Sequence, residues 1–135
     1  ADAGMTKAVL EATGGKGVDV LIDNVGGTVL GDNLKAMALK GRLVSVGRLG
    51  ANVGAIDLDH VALRRLRLIG VTFRTRTKEE RIECVQRCAA DLLGPLAGGL
   101  LNPVVQRSFR MDDIAAAHEC MERDEHIGKL VIEIA

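Results

Sequence analysis

Two short segments hold most of the residues able to meet a ligand: Asn24-Val25-Gly26-Gly27 and Val46-Gly47-Arg48-Leu49-Gly50. Each closes an apolar run, Val18 to Asp23 and Arg42 to Val46, that reads as a buried parallel strand. In open α/β sheets ligands settle beyond the carboxyl ends of the strands, and glycines there let a backbone approach a flat or phosphorylated group. The side-chain amide of Asn24 suits a ribose hydroxyl; a plain Asn-Gly-type turn is the competing reading. Arg48 either meets an anion or is a solvated loop charge. Arg74-Thr75-Arg76 offers the same choice: paired guanidinium groups on a phosphate, or, with Lys78 and Glu79 alongside, a solvated face.

Other kinds of chemistry find little support. Cys84 and Cys88 stand four apart on a helix and Cys120 is remote, which is not a zinc-ligand spacing, so the three read as core or half-buried thiols in a reducing compartment. Ser45 and Ser108 are the only serines, and neither sits in a Gly-x-Ser-x-Gly elbow. His118 falls on the inner stripe of a helix, as a core histidine does. Asp19, Asp23, Asp112 and Asp113 occupy strand ends and cap positions and do not form an acid/base pair. No catalytic group and no metal ligand is assigned.

The elements that must position these residues alternate between helical and strand periodicity, the pattern of an α/β domain. Met5 to Thr13 reads as a helix stopped by Gly14-Gly15, followed by the strand Val18 to Asp23. Thr28 caps a helix to about Leu39, with Leu30, Leu34, Met37 and Ala38 inward, before the strand Arg42 to Val46. Asp57 to Arg65 forms a short helix and Leu66 to Phe73 a third strand. Thr77 and Glu80 make a capping box for a helix that buries Ile82, Val85 and Ala89 and runs to about Leu93, where Gly94-Pro95 interrupts it. Val104 to Phe109 is a strand, Ile114, Ala117, His118 and Met121 mark a helix stripe, and Lys129 to Ile134 is a final strand.

Composition narrows the class. The 135 residues carry 18 Lys+Arg against 18 Asp+Glu, so no net field recruits nucleic acid or an anionic membrane. With no Trp, no Tyr and only Phe73 and Phe109, stacking platforms for single strands are lacking. No run approaches the roughly 20 apolar residues of a membrane span, and the expected location is the cytoplasm. An opening Ala1-Asp2-Ala3 without Met suggests a piece of a longer polypeptide.

The succession GVDVLIDNVGG, KGRLVSVG, LRLIGVTFRTRTKEE, NPVVQRSFRMDDIAAAHECME and HIGKLVIEI resembles the C-terminal part of the medium-chain dehydrogenase/reductase superfamily. It is most similar to the zinc-free quinone oxidoreductase branch that includes zeta-crystallin, over essentially the whole chain. The resemblance implies a partial Rossmann-like doubly wound parallel sheet lacking its first strands and its Gly-rich diphosphate turn. It implies that residues 1–101 belong to a dinucleotide-binding domain, and that 102–135 pack on a catalytic domain preceding Ala1. It also implies hydride transfer from NADP(H), with NAD open, to a quinone or activated carbonyl or alkene, without metal. Val46, Gly47, Arg48 and Leu49 match the family's nicotinamide-side loop, whose backbone groups contact the ribose and the carboxamide; Val71, Thr72 and Phe73 match a second cofactor edge, and Asn24 is a cofactor candidate through its amide at the end of the first strand. His126 departs from an amide that relatives place near the cofactor. The strand Leu66 to Phe73 would pair with its twofold mate in a homodimer. A short-chain dehydrogenase is excluded by the absence of tyrosine; a Rossmann-like methyltransferase portion and a non-catalytic dimerisation or cofactor-edge module are the alternatives.

Overall fold

The computed structural model describes residues 3–134, and the opening Ala1-Asp2 lies outside them. Packing divides the chain into two compact units, residues 1–76 and 77–135. In the first, α1 (Ala3–Ala12) leads through β1 (Val18–Asp23), α2 (Leu30–Lys35), β2 (Met37–Ser45) and α3 (Leu58–Arg64) to β3 (Arg67–Gly70). The strands form a parallel sheet in the order β1-β2-β3. Parallel neighbours cannot be joined by a tight hairpin, so a helix fills each crossover. The fold is α/β and Rossmann-like, as expected.

Leu34, Met37, Leu43 and Leu66 form the buried core, with Leu21, Leu30 and Val61 packed against it. Helix ends are tied down by polar contacts. The Asp57 carboxylate accepts from the His60 amide at 3.0 Å and starts α3. His60 Nε2 lies 3.0 Å from the Leu34 carbonyl, and Thr6 Oγ1 donates to the Asp32 carbonyl at 3.1 Å, so α3 and α1 are each fastened to α2. At the end of α1, the Gly15 amide reaches the Leu10 carbonyl at 2.7 Å, which bears out the glycine stop.

Three expectations for this unit need correction. The second helix ends at Lys35, and Met37, Ala38 and Leu39 belong to β2. Met37 and Ala38 are buried as anticipated, but from a strand: Met37 pairs with Val18 and Arg42 with Val20, so β2 bulges between them, with Lys40 at φ 64°. Thr28 does not cap α2, whose N-cap is Val29 without a side-chain bond. The third strand is shorter than expected and stops at Gly70, after which the Val71 amide makes one more bond to the Ser45 carbonyl at 3.1 Å.

The second unit holds α4 (Lys78–Ala97), β4 (Val105–Arg110), a short 3₁₀ turn at Met111–Asp113, α5 (Ile114–Glu122) and β5 (Lys129–Glu133). β4 and β5 pair in parallel across α5. The Thr77 and Glu80 capping box is present in both directions, at 3.2 and 2.8 Å. The helix it starts does not stop at Leu93. It runs through Pro95, which forfeits a single amide bond, and ends when the Gly99 and Leu100 amides bond the Leu96 and Pro95 carbonyls. Nor does α4 bury its apolar row: none of its residues is buried, and Ile82 and Val85 are exposed. The row has helical spacing, but among the described residues of this unit no element covers it. His118 is likewise exposed; it borders a small hollow with Ile114, Ala117, Met121, Leu130 and Ile132, and is not a core histidine.

Candidate functional site

The carboxyl ends of β2 and β3 open into a cleft of about 970 Å³. Val46, Gly47, Arg48, Leu49 and Asn52 line one side of it and Val71, Thr72, Phe73 and Arg74 the other. Seven of the eight residues singled out from the sequence therefore meet in one place. Asn24, the eighth, borders a different hollow of about 580 Å³ beside β1, with Met5, Val9 and Val20 among its neighbours. Asn52 carried no signal beyond its place in a turn-rich stretch.

The loop that shapes the cleft is built from the end of β1. Asp23 is buried, and its carboxylate accepts from the amides of Val25 at 2.8 Å and Gly26 at 2.9 Å, holding the first glycine turn in shape. Its carbonyl accepts from Val46 at 2.8 Å and Gly47 at 3.1 Å. The Asn24 carbonyl accepts from Leu49 at 3.3 Å and that of Val25 from Gly50 at 2.8 Å, while the Gly27 amide donates to Ala51 at 2.9 Å. The two glycine loops are thus interlocked along their backbones.

This interlock gives the glycines a structural duty. A Cβ on Gly47 would stand 2.3 Å from the Asn24 carbonyl oxygen, and one on Gly27 would stand 2.0 Å from that of Val53. The close approach they permit is loop against loop. The amides of Val46, Gly47, Leu49, Val71 and Arg74 are spent inside the protein, so the backbone donors this cleft offers a ligand are those of Arg48, Asn52, Thr72 and Phe73.

The other wall is braced independently. The Arg74 amide donates to Thr72 Oγ1 at 3.1 Å, and Arg76 Nε donates to the Thr72 carbonyl at 3.1 Å. The Arg76 guanidinium also lies 5.3 Å from the Phe73 ring centre, a cation–π distance. Val46, Leu49, Val71 and Phe73 provide apolar walls, and no carboxylate lines the cleft.

Residues 1–132 match the family model for zinc-binding dehydrogenases. The chain belongs to that family. Within this dehydrogenase family it is 30% identical over 130 residues to a probable quinone oxidoreductase of Schizosaccharomyces pombe, covering 95% of this chain and 38% of that protein. It is 28% identical over 126 residues to the highly reducing polyketide synthase easB of Emericella nidulans, covering 93% of this chain and 5% of the synthase. Among solved structures, a mycobacterial protein complexed with NADPH superposes with a TM-score of 0.70 at 27% identity, covering 98% of this chain and 41% of that one. The chain spans less than half the length of each. The recognition of a medium-chain dehydrogenase/reductase C-terminal part is borne out, and the methyltransferase reading is set aside. The family is one of zinc-binding dehydrogenases, yet among the described residues no three His, Cys, Asp or Glu side chains gather as a ligand set, so these residues do not fit that ion.

Proposed function

We propose that the cleft receives the nicotinamide end of a dinucleotide, so that the chain forms the nicotinamide-side half of an oxidoreductase site. The observation that carries this reading is the convergence of Val46, Gly47, Arg48, Leu49, Val71, Thr72 and Phe73 on one cleft at the carboxyl ends of adjacent parallel strands, where such folds bind their ligands. Asn24, one strand end away, is assigned to the ribose. The cofactor is NADP(H), with NAD as the alternative, and when bound it supplies the hydride. The residues of this chain hold the ring between apolar walls and limit access of water; hydride transfer requires positioning more than a protein acid. The acceptor is a quinone or an activated carbonyl or alkene, and no metal takes part.

In this reading the polypeptide that carries the chain provides a glycine-rich diphosphate turn upstream, residues 1–101 belong to the nucleotide domain, and 102–135 pack on a catalytic domain. The outer edge of β3, at the end of the sheet order, supports a homodimer through Leu66 to Phe73. The protein acts in the cytoplasm; no helix among the described residues is long and apolar enough to cross a membrane.

Calorimetry of the 135-residue chain with NADPH tests the division of labour: binding weaker than micromolar is expected, because the diphosphate turn carries much of the affinity. A micromolar constant overturns it. If the coding frame extends upstream, oxidation of NADPH by the longer polypeptide with quinones and with unsaturated carbonyls is the activity to measure, and no oxidation with either refutes the assignment. The second reading, a non-catalytic dimerisation or cofactor-edge module, would show dimerisation with no turnover in any extended form.

A further inference from the structure

We infer that the cleft contains an oxyanion subsite formed by Arg48 and Arg74, and that it takes a carboxylate or phosphate carried by the hydride acceptor. The inference rests on the oxidoreductase reading above. Both arginines line the cleft, from two different strand ends, and none of the nine lining residues is acidic. Among the described residues neither arginine has an ion-pair partner. Both arginines are exposed, and an anion entering the cleft meets two cations and no acidic residue in its lining. Arginine's planar fork suits carboxylate and phosphate oxygens in particular.

The backbones that carry these arginines are braced. Arg48 sits between two amides bonded to the end of β1, Gly47 to Asp23 and Leu49 to Asn24, and its Cα lies 3.1 Å from where a Cβ on Gly26 would be. Arg74 follows a turn held by its own amide on Thr72 Oγ1 and by Arg76 on the Thr72 carbonyl. Arg76 is engaged with Phe73 and Thr72, which leaves Arg48 and Arg74 as the cations of the cleft lining. With Val46, Leu49, Val71 and Phe73 as apolar walls, the cleft fits a ligand that has an apolar body and one anionic end. The reduced nicotinamide ring is neutral, and the dinucleotide phosphates are assigned above to a turn upstream. An anion at the ring end is therefore the acceptor's, and the acceptor class narrows from neutral quinones to alkenes or carbonyls bearing a carboxylate or phosphate.

The test is an amide NMR titration of the whole 135-residue chain with succinate, with inorganic phosphate and with dihydronicotinamide riboside, each alone and in combination, then with NADPH added. Succinate or phosphate is expected to shift the Arg48 and Arg74 amides saturably and to bind together with the neutral riboside. Arg48→Gln and Arg74→Gln should each weaken the oxyanion by about two- to fivefold, with Arg→Lys variants retaining part of it. Absence of a saturable shift at Arg48 and Arg74 in the unmodified chain overturns the inference, whether or not the variants fold. Riboside binding without oxyanion binding overturns it alone and leaves the hydride reading standing. Oxyanion binding without riboside binding removes the acceptor assignment together with that reading. Displacement of the oxyanion by NADPH but not by the riboside assigns the subsite to a cofactor phosphate and refutes the acceptor's claim to it.

Discussion

At the scale of single residues, the glycines at the strand ends serve two different purposes. Gly27 and Gly47 are required by loop-on-loop packing, whereas Gly31 lies in α2 with nothing within 4 Å of an added Cβ. Gly27→Ala is therefore expected to destabilise the chain by about 2 kcal/mol or more, as forced overpacking does. Gly31→Ala should stabilise it by about 0.5–1 kcal/mol through helix propensity. Urea denaturation of the two variants beside the parent checks the contrast, and equal effects would refute it. Asp23 is the other residue on which the site's shape depends. Asp23→Ala leaves the Val25 and Gly26 amides without their acceptor and should cost about 1–3 kcal/mol, with loss of the NMR shift dispersion of residues 46–50 as a local signature.

At the scale of elements, caps and neighbours decide the outcome. The reciprocal Thr77 and Glu80 bonds start α4, so Thr77→Ala should lower stability by about 1 kcal/mol, read by thermal melting followed at a helix-sensitive wavelength. In the sheet, Arg42 and Arg67 stand in register on β2 and β3. The juxtaposition of like charges predicts that Arg67→Glu gains a few tenths of a kcal/mol to about 1 kcal/mol at low salt. The gain should shrink as salt is raised; a loss at low salt would contradict the pairing. The strand and helix order was legible because apolar periodicity is a local property. The bulge at Lys40 was not: it arises from the pairing of β2 with β1, and nothing in residues 37–41 taken alone distinguishes the end of a helix from an irregular strand start.

At the scale of the whole molecule, open edges dominate. Val20 and Ile22 of β1 are exposed, Ile22 at 66%, and a strand edge without a neighbour is a template for association. The proposed homodimer through β3 predicts a dimer or larger species in sedimentation at micromolar concentration. A stable monomer under those conditions would refute it. The uncovered rows on α4 and on the outer face of β1 belong to the same scale, since an apolar surface at correct spacing stays exposed until some other element covers it.

Sequence alone was enough to identify the α/β class, the family and the capping box at Thr77. All of these reside in local pattern or in the linear order of motifs. Tertiary structure alone decided that Val46 to Leu49 and Val71 to Phe73 face one cleft while Asn24 borders another. It also showed that the glycines accommodate backbone rather than ligand, and that Arg48 and Arg74 share a space without a carboxylate. Those facts depend on which strand ends become neighbours and which amides they use up. Strand register and long-range hydrogen bonding set both, and neither is encoded in any single stretch of the chain.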